Sequence, residues 1–252
     1  LAVSPTNISL SVGGETKLGN KSLLKPSHIN IDAGELLMDN SRVEGEYSIG
    51  INSAGSLSMD NGSLMRSDYV EQGRISVASS DFLVRGNSRL AGSSKIEVEA
   101  KNKALIQDES SLVVGWEGAP VISDERFLFF WDSETGEVID GNGELYPDKF
   151  KESSLVAPYM ANIYQVPDSM FVVFNINQPF DYKTIPHIHI SANEAVVEDV
   201  VFDSRTGENP SALRIDSVDA IRLSGSSEIN RFAQAEFTAD TVEMLKGVGY
   251  HS

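Results

Sequence analysis

Carboxylates crowd one part of the sequence, between residues 124 and 144. They are Asp124, Glu125, Asp132, Glu134, Glu137, Asp140 and Glu144. A glycosidase needs two carboxyl groups about 5–10 Å apart, one of them with a raised pKa. The chain has 37 acidic residues in all, so this crowding does not by itself identify a catalytic pair. Cleavage of a polysaccharide by two of these side chains is therefore an alternative, and the catalytic residues stay unassigned.

Aromatic side chains lie in the same segment, among them Trp116, Trp131 and Tyr146. Aromatic rings stack on the apolar faces of sugars, and carboxylates accept hydrogen bonds from sugar hydroxyls. We therefore predict a glycan-binding site formed by these three aromatic residues together with Asp132 and Glu134. Trp131 ends a dense aromatic strand, so the alternative for this residue is a place in the core.

Two further patterns are similar to metal sites, but each departs from its motif. Asp140–Glu144 alternates oxygen ligands like a calcium loop, yet Leu145 stands where the loop requires glycine. His187 and His189, with Glu194 five residues on, resemble the first metal motif of cupins without its flanking glycines. We therefore predict no metal and no other cofactor.

The composition excludes several classes of function. A formal net charge of −17 would repel a phosphate backbone or an anionic membrane surface. The absence of cysteine rules out disulfides and thiolate chemistry, and no apolar stretch approaches the length of a membrane span. The chain begins at Leu1 instead of methionine, and we expect it to be a processed or excised part of a longer protein.

An internal repeat predicts the elements that position these residues. Each repeat opens with an apolar pair two residues apart: Ile8 and Leu10, Ile29 and Ile31, Ile49 and Ile51, Ile75 and Val77, and Ile96 and Val98. Such alternation predicts a strand with one buried face. A second apolar group follows seven to ten residues after each start, and a third about five residues further on. Three short strands in about 20 residues describe one coil of a solenoid.

The turn before the third strand repeats as well. The third apolar group is Leu23, Val43, Leu64, Leu90 and Leu112, and Asn20, Asn40, Asn61 and Asn87 precede its first four members by three residues. Asparagine tolerates left-handed backbone angles, and stacked asparagines can form a ladder of side-chain hydrogen bonds. We predict a bend at this place in every coil. Asn20 and Asn61 also match the acceptor pattern for N-glycosylation.

These patterns predict an all-β fold, a single-stranded right-handed parallel β-helix with loop-rich middle coils. Residues 1–115 form the regular coils, 116–186 the loop-rich aromatic and acidic middle coils, and 187–252 the resuming coils and a C-terminal cap. One continuous solenoid is expected, without a separate inserted domain. The segment Phe237–Lys246 is expected to be either a last strand pair or a short capping helix.

The coil pattern, Ile-x-Ile followed by Asn-x-x-Leu, resembles right-handed parallel β-helix surface proteins. These include phage tailspikes and tail fibres and bacterial adhesins of the autotransporter-passenger type. The resemblance covers residues 1–115 well and 188–232 in part. It is one of architecture, so no functional residue is carried over. The Gly-Asp-Gly motif common where tailspike helices begin is missing.

The resemblance implies a non-catalytic surface-recognition or structural module for host-cell attachment. Its place would be the virion surface or, for an exported protein, the cell surface, and its partner a host cell-surface glycan. It also implies a homo-oligomer, a trimer. The charge and the lack of a long apolar stretch predict no nucleic-acid partner and no membrane span. Two alternatives stay open: a tailspike-type polysaccharide hydrolase or lyase, and a purely structural shaft.

Overall fold

The computed structural model describes residues 7–19, 21–67, 69, 72–115, 127–132, 137–140, 162–166, 169–175, 185–206, 211–245 and 247–251. Between 127 and 175, only the backbone of the four strands is described. The strands in chain order are β1 (Asn7–Leu18), β2 (Leu23–Leu24), β3 (His28–Asp39), β4 (Arg42–Gly45), β5 (Ser48–Ser53), β6 (Ser56–Asp60), β7 (Leu64–Ser67), β8 (Arg74–Val84), β9 (Arg89–Gly92), β10 (Lys95–Ile106), β11 (Ser111–Gly115), β12 (Phe127–Asp132), β13 (Glu137–Asp140), β14 (Asn162–Val166), β15 (Ser169–Asn175), β16 (His187–Glu198), β17 (Val201–Arg205), β18 (Ala212–Ser224), β19 (Glu228–Asn230), β20 (Gln234–Thr238), β21 (Thr241–Met244) and β22 (Gly249–His251).

Two parallel sheets build a solenoid. The first sheet has the order β1-β3-β5-β8-β10-β16-β18-β20, with β6 and β21 completing two of its coils. The second has the order β2-β4-β7-β9-β11-β17-β19-β22, one strand from each of eight coils. Each strand pairs with the strand one coil away in sequence, so the chain winds along a single axis. The predicted parallel β-solenoid is confirmed, and its right-handedness stays a prediction.

The strand register follows the apolar pairs that open each repeat. Ile29 lies opposite Ile49, Ile49 opposite Ile75, and Ile75 opposite Ile96. Ile96 then pairs with Ile188, so β16 forms the coil that follows β10. The parallel ladder of the first sheet therefore continues from β10 directly to β16.

The third strand differs from the prediction in two coils. Leu24 pairs with Val43, and Val43 pairs with Met65. Met65 is fully buried, whereas Leu23 is 55% exposed. The predicted inward residues Leu23 and Leu64 were therefore wrong by one position, which moves a side chain to the opposite face because strands alternate with period two. Adjacent leucines and a leucine–methionine pair gave the pattern two possible registers there.

The first two predicted strands of each coil belong to one sheet. In β3, β8, β10, β16 and β18 they join into a single bent strand of 11 to 13 residues. The register shifts at the bend, for example between Ala192 and Glu194, and the ladder then continues. A bulge of this kind bends a strand without ending it.

Asparagine marks the bend between the two sheets, as predicted. The backbone φ angles are 45° at Asn40, 55° at Asn61 and 59° at Asn87, all in the left-handed region. Asn20 lies outside the described residues, and Lys21 has the positive φ in that coil. The bend therefore requires residues that tolerate this conformation.

The ladder at this bend is made by buried serines, not by the asparagine side chains. The Ser41 backbone N–H donates to Ser63 Oγ at 3.3 Å, and the Ser63 N–H donates to Ser88 Oγ at 3.2 Å. The Asn61 side chain instead donates to Asp39 at 2.7 Å. Because the serine hydroxyls are buried, these bonds satisfy backbone groups that no water reaches.

The chain divides into two compact units, Leu1–Ala119 with Ile185–Ser252, and Pro120–Thr184. The second unit contains a four-stranded sheet of order β13-β12-β15-β14. Its β12–β13 and β14–β15 pairs are antiparallel and its β12–β15 pair is parallel. The domain boundaries predicted from the sequence stay a prediction.

The last coil consists of β20, β21 and β22, so Phe237–Lys246 contributes a strand pair and not a capping helix over its described residues. Phe237 and Val248 pack against the end of the core. Within the described part of the chain, no helix is long and apolar enough to cross a membrane.

Candidate functional site

The residues predicted to bind glycan lie mostly outside the described part of the chain. Trp116, Glu134 and Tyr146 fall in segments that the structure does not describe. Trp131 and Asp132 end strand β12, of which the backbone alone is described. The glycan site formed by these five residues therefore stays a prediction.

A groove that the sequence did not predict lies on the solvent side of the first sheet. Its volume is about 520 Å³, within the range of ligand-binding clefts. Two outward rows of side chains form it. The first row is Asn30, Gly50, Ser76, Glu97 and His189, and the second is Asp32, Asn52, Ala78, Glu99 and Ser191. We call this surface the outer groove.

Small residues form the floor of the outer groove at its middle. Gly50, Ser76 and Ala78 stand where the neighbouring coils carry longer side chains. A Cβ atom on Gly50 would lie 2.8 Å from Oδ1 of Asn30, so the glycine leaves room for the Asn30 amide over the groove floor. The depression is therefore a consequence of residue size, not of a break in the strands.

Longer polar side chains stand at the two ends of the outer groove. At one end Asn52 donates a hydrogen bond to Asp32 at 3.2 Å. At the other end Lys95 Nζ lies 2.8 Å from a carboxylate oxygen of Glu97. These contacts hold acceptors and donors in place before any ligand arrives, which lowers the entropy cost of binding.

An aromatic stack borders the outer groove. The rings of His28 and Tyr47 are stacked with centroids 5.3 Å apart, and those of Tyr47 and Tyr69 lie 4.1 Å apart. His28 stands two positions before Asn30 on β3, so both side chains lie on the same side of the sheet. Ser48 fixes the imidazole through a 2.8 Å hydrogen bond to Nδ1. We call these three rings the aromatic stack.

The electrostatics of the groove keep the Glu97 carboxylate ionised. Burial alone would raise the pKa of Glu97, but the hydrogen bond and charge of Lys95, together with His187, outweigh it and lower the pKa. Burial lowers the pKa of His187, so its imidazole favours the neutral form. Because a glycosidase's general acid needs a raised pKa, Glu97 is suited to accept hydrogen bonds and not to donate a proton.

The histidine pattern that resembled a cupin motif does not assemble with its carboxylate. His187 is buried and its Nδ1 lies 2.8 Å from the carbonyl oxygen of Ile185. Glu194 is held instead by Lys103 and Arg222, each at 3.2 Å. Among the residues that the structure describes, no group of three or more histidine and carboxylate side chains could hold a metal ion.

The sequence contained a weak signal for the groove. Its outward positions alternate with the apolar residues that define each repeat, but their types change from coil to coil, so no motif appears. Tyr47 stands two residues before Ile49, whereas Tyr69 stands six before Ile75. This unequal spacing hides the stack until the turns are placed in three dimensions.

Comparison of this chain with models of known protein families, with curated proteins and with solved structures finds no match. The parallel β-solenoid is shown by its strand pairing, while the resemblance to tailspikes, tail fibres and adhesins stays a prediction. Function is therefore inferred from the chemistry of the outer groove and the aromatic stack.

Proposed function

We propose that this protein is a non-catalytic surface-recognition module that binds a glycan in the outer groove. The observation that carries the proposal is the pairing of a polar groove of about 520 Å³ with an aromatic stack that begins at His28, two residues before the groove residue Asn30 on β3. Sugars present apolar ring faces and a rim of hydroxyls, and a site for them needs both kinds of surface.

The aromatic stack supplies the apolar part of this site. Tyr69 is 37% exposed, and its ring lies against that of Tyr47, which restricts its motion. The hydrogen bond that the Tyr47 hydroxyl makes to Tyr69 is the largest cause that raises the pKa of Tyr47, so this phenol stays neutral. A fixed, uncharged ring loses little conformational entropy when a sugar stacks on it.

The outward rows supply the hydrogen bonds. Asn30, Asn52, Ser76 and Ser191 offer both donors and acceptors, and Glu97 offers acceptors alone. Sugar hydroxyls donate and accept in turn, so a mixed set of this kind matches them. The strands beneath are paired on both sides, which makes the groove rigid.

The proposed setting follows the resemblance of the repeat. The module would belong to a phage tail fibre or spike, or to an exported adhesin, and would attach it to the glycan of a host cell. A trimer is the proposed assembly, as in fibres of similar architecture. The formal charge of −17 supports a partner other than nucleic acid.

The test is a panel of bacterial capsular and O-antigen polysaccharides, measured for binding and for release of new reducing ends. We expect binding to at least one polysaccharide without cleavage. Release of reducing ends would show the alternative, a polysaccharide-cleaving enzyme. Binding to none of them would contradict the proposal.

Variants decide where on the chain the glycan binds. Tyr47→Ala and Tyr69→Ala should each weaken binding roughly three- to tenfold, because each removes a stacking ring. Trp116→Ala and Tyr146→Ala are the matched controls from the segment that the sequence favoured. Loss of binding in the controls alone would place the site there and remove it from the outer groove.

A further inference from the structure

The charges within the outer groove bear on the kind of glycan it accepts. Three carboxylates line it, Asp32, Glu97 and Glu99, and the only titratable side chain among the other described lining residues is His189. Lys95 lies 2.8 Å from Glu97 and neutralises it. Asp32 and Glu99 therefore leave a surplus of two negative charges.

Neither of these two carboxylates forms an ion pair with a residue in the described part of the chain. Asp32 accepts a hydrogen bond from the neutral amide of Asn52 at 3.2 Å. Glu99 is exposed, and no ion pair joins it to any residue that the structure describes. The Arg214–Asp216 ion pair, at 2.7 Å, involves neither of them.

We propose that the outer groove accepts uncharged glycans and rejects glycans that carry carboxylate or sulfate groups. The inference rests on the proposed glycan-binding function and names the ligand class of the same site. Two like unit charges in contact in water repel each other enough to weaken binding about fivefold. Two carboxylates should therefore weaken the binding of an anionic ligand by about tenfold or more. Neutral hydroxyls instead donate charge-assisted hydrogen bonds to the same oxygens.

The groove also sets the size of the ligand. It crosses five neighbouring strands of the first sheet, from β3 to β16. Adjacent strands lie about 4.8 Å apart, so the groove extends roughly 19 Å from its first strand to its last. That length accommodates an oligosaccharide of several units, and a single sugar would fill only part of it.

The experiment compares matched oligosaccharides that differ only in charge. Hexasaccharides of β-1,4-glucose, α-mannose and β-1,4-N-acetylglucosamine are titrated at low salt beside their carboxylated counterparts. We expect at least one uncharged member to bind about tenfold more tightly than its carboxylated partner. The difference should shrink in 0.5 M salt, roughly the regime in which charges are screened within a few ångströms.

A charge-neutralising variant tests the cause of the selectivity. Glu99→Gln should strengthen binding of the carboxylated ligand about fivefold and leave that of the uncharged ligand nearly unchanged. Glu228→Gln is the matched control, since Glu228 is an exposed carboxylate on β19 of the other sheet. The Glu228→Gln variant should bind both ligands as tightly as the unmodified protein does.

The outcomes separate the inference from the function on which it rests. Equal or tighter binding of the carboxylated ligand would overturn the charge selectivity while leaving glycan binding intact. No binding of either form, in this set and in the polysaccharide panel, would overturn both. Unchanged discrimination in Glu99→Gln would overturn the role assigned to this carboxylate.

Discussion

The inward and outward sides of the long strands in the first sheet vary to very different degrees. The inward residues that open successive coils are Ile29, Ile49, Ile75, Ile96 and Ile188, each at most 1% exposed. Their outward neighbours are Asn30, Gly50, Ser76, Glu97 and His189. The inward side repeats one residue type in register, whereas the outward side changes at every coil.

The difference follows from what each side must do. Inward side chains stack on one another in a closed core, where even a small change of volume leaves a cavity or a clash. Outward side chains meet solvent, and most substitutions there change stability by no more than about 0.5 kcal/mol. The inward side of the strands therefore determines the fold, and the outward side can vary to form a binding surface.

Substitution of an inward residue should give the largest effect. Ile75→Ala removes a fully buried side chain and should cost about 2–5 kcal/mol of unfolding free energy. Ser76→Ala, one position along on the outward side, should change it by less than about 0.5 kcal/mol. Urea denaturation measures both. Similar losses of unfolding free energy in the two variants would contradict the difference between the inward and outward sides of the strands.

Filling the outer groove should give the next largest effect, on binding and not on stability. Ser76→Trp places a ring on the groove floor and should weaken glycan binding by about tenfold or more, near 1.4 kcal/mol. Ala220→Trp adds the same ring to an outward position of β18 outside the groove. Titration of both variants with the bound polysaccharide should show loss in the first alone; equal loss would count against the groove.

The residues at the bends between the sheets are constrained by backbone conformation and not by burial. Asn40 has a φ of 45°, which costs a β-branched residue about 1–2 kcal/mol and glycine almost nothing. Asn40→Val should therefore lower the unfolding free energy by that amount, while Asn40→Gly should be nearly neutral. Thermal and urea unfolding of the two variants provide the measurement. Equal effects would mean that the left-handed conformation is not what this position requires.

His187 is an exception to the comparison, because it lies in an outward row and yet is buried. Burial lowers its pKa below the ordinary value of 6.5. The unfolded chain then binds a proton more readily, so the stability from this group is present above pH 6.5 and is lost as the pH falls through the folded pKa. This should be the smallest of the four effects.

The measurement is the melting temperature at pH 7 and pH 5. The unmodified protein should lose more stability between these values than His187→Gln, which has no imidazole to protonate. Glu97 does not contribute to the difference between pH 7 and pH 5, because its lowered pKa keeps it ionised at both values. An identical pH dependence in both proteins would show that His187 is not the group responsible.

The sequence predicted the inward side of the molecule well. The alternation of Ile29, Ile49 and Ile75 with polar neighbours defined the strand register that the structure has. Where two adjacent residues were both apolar, as at Leu64 and Met65, the pattern could not distinguish the registers, and the prediction was wrong by one position. Periodicity reports burial only where the alternative face is polar.

The candidate site could not be predicted in the same way. A groove requires small residues such as Gly50 and Ser76 to stand beside larger ones from other coils, and that neighbourhood exists only after the coils are stacked. The tyrosines of the aromatic stack come from turns of different length. The sequence instead drew attention to Trp116 and Tyr146, because aromatic and acidic residues are dense around them.

The most direct test of the central claim, that the outward side of the first sheet binds the glycan, is a crystal structure of the complex. The tightest oligosaccharide from the matched set would be used at a concentration well above its dissociation constant. We expect its density over Gly50 and Ser76, with one sugar ring against Tyr47 or Tyr69. Density for the oligosaccharide elsewhere on the chain, with the outer groove empty, would contradict the claim.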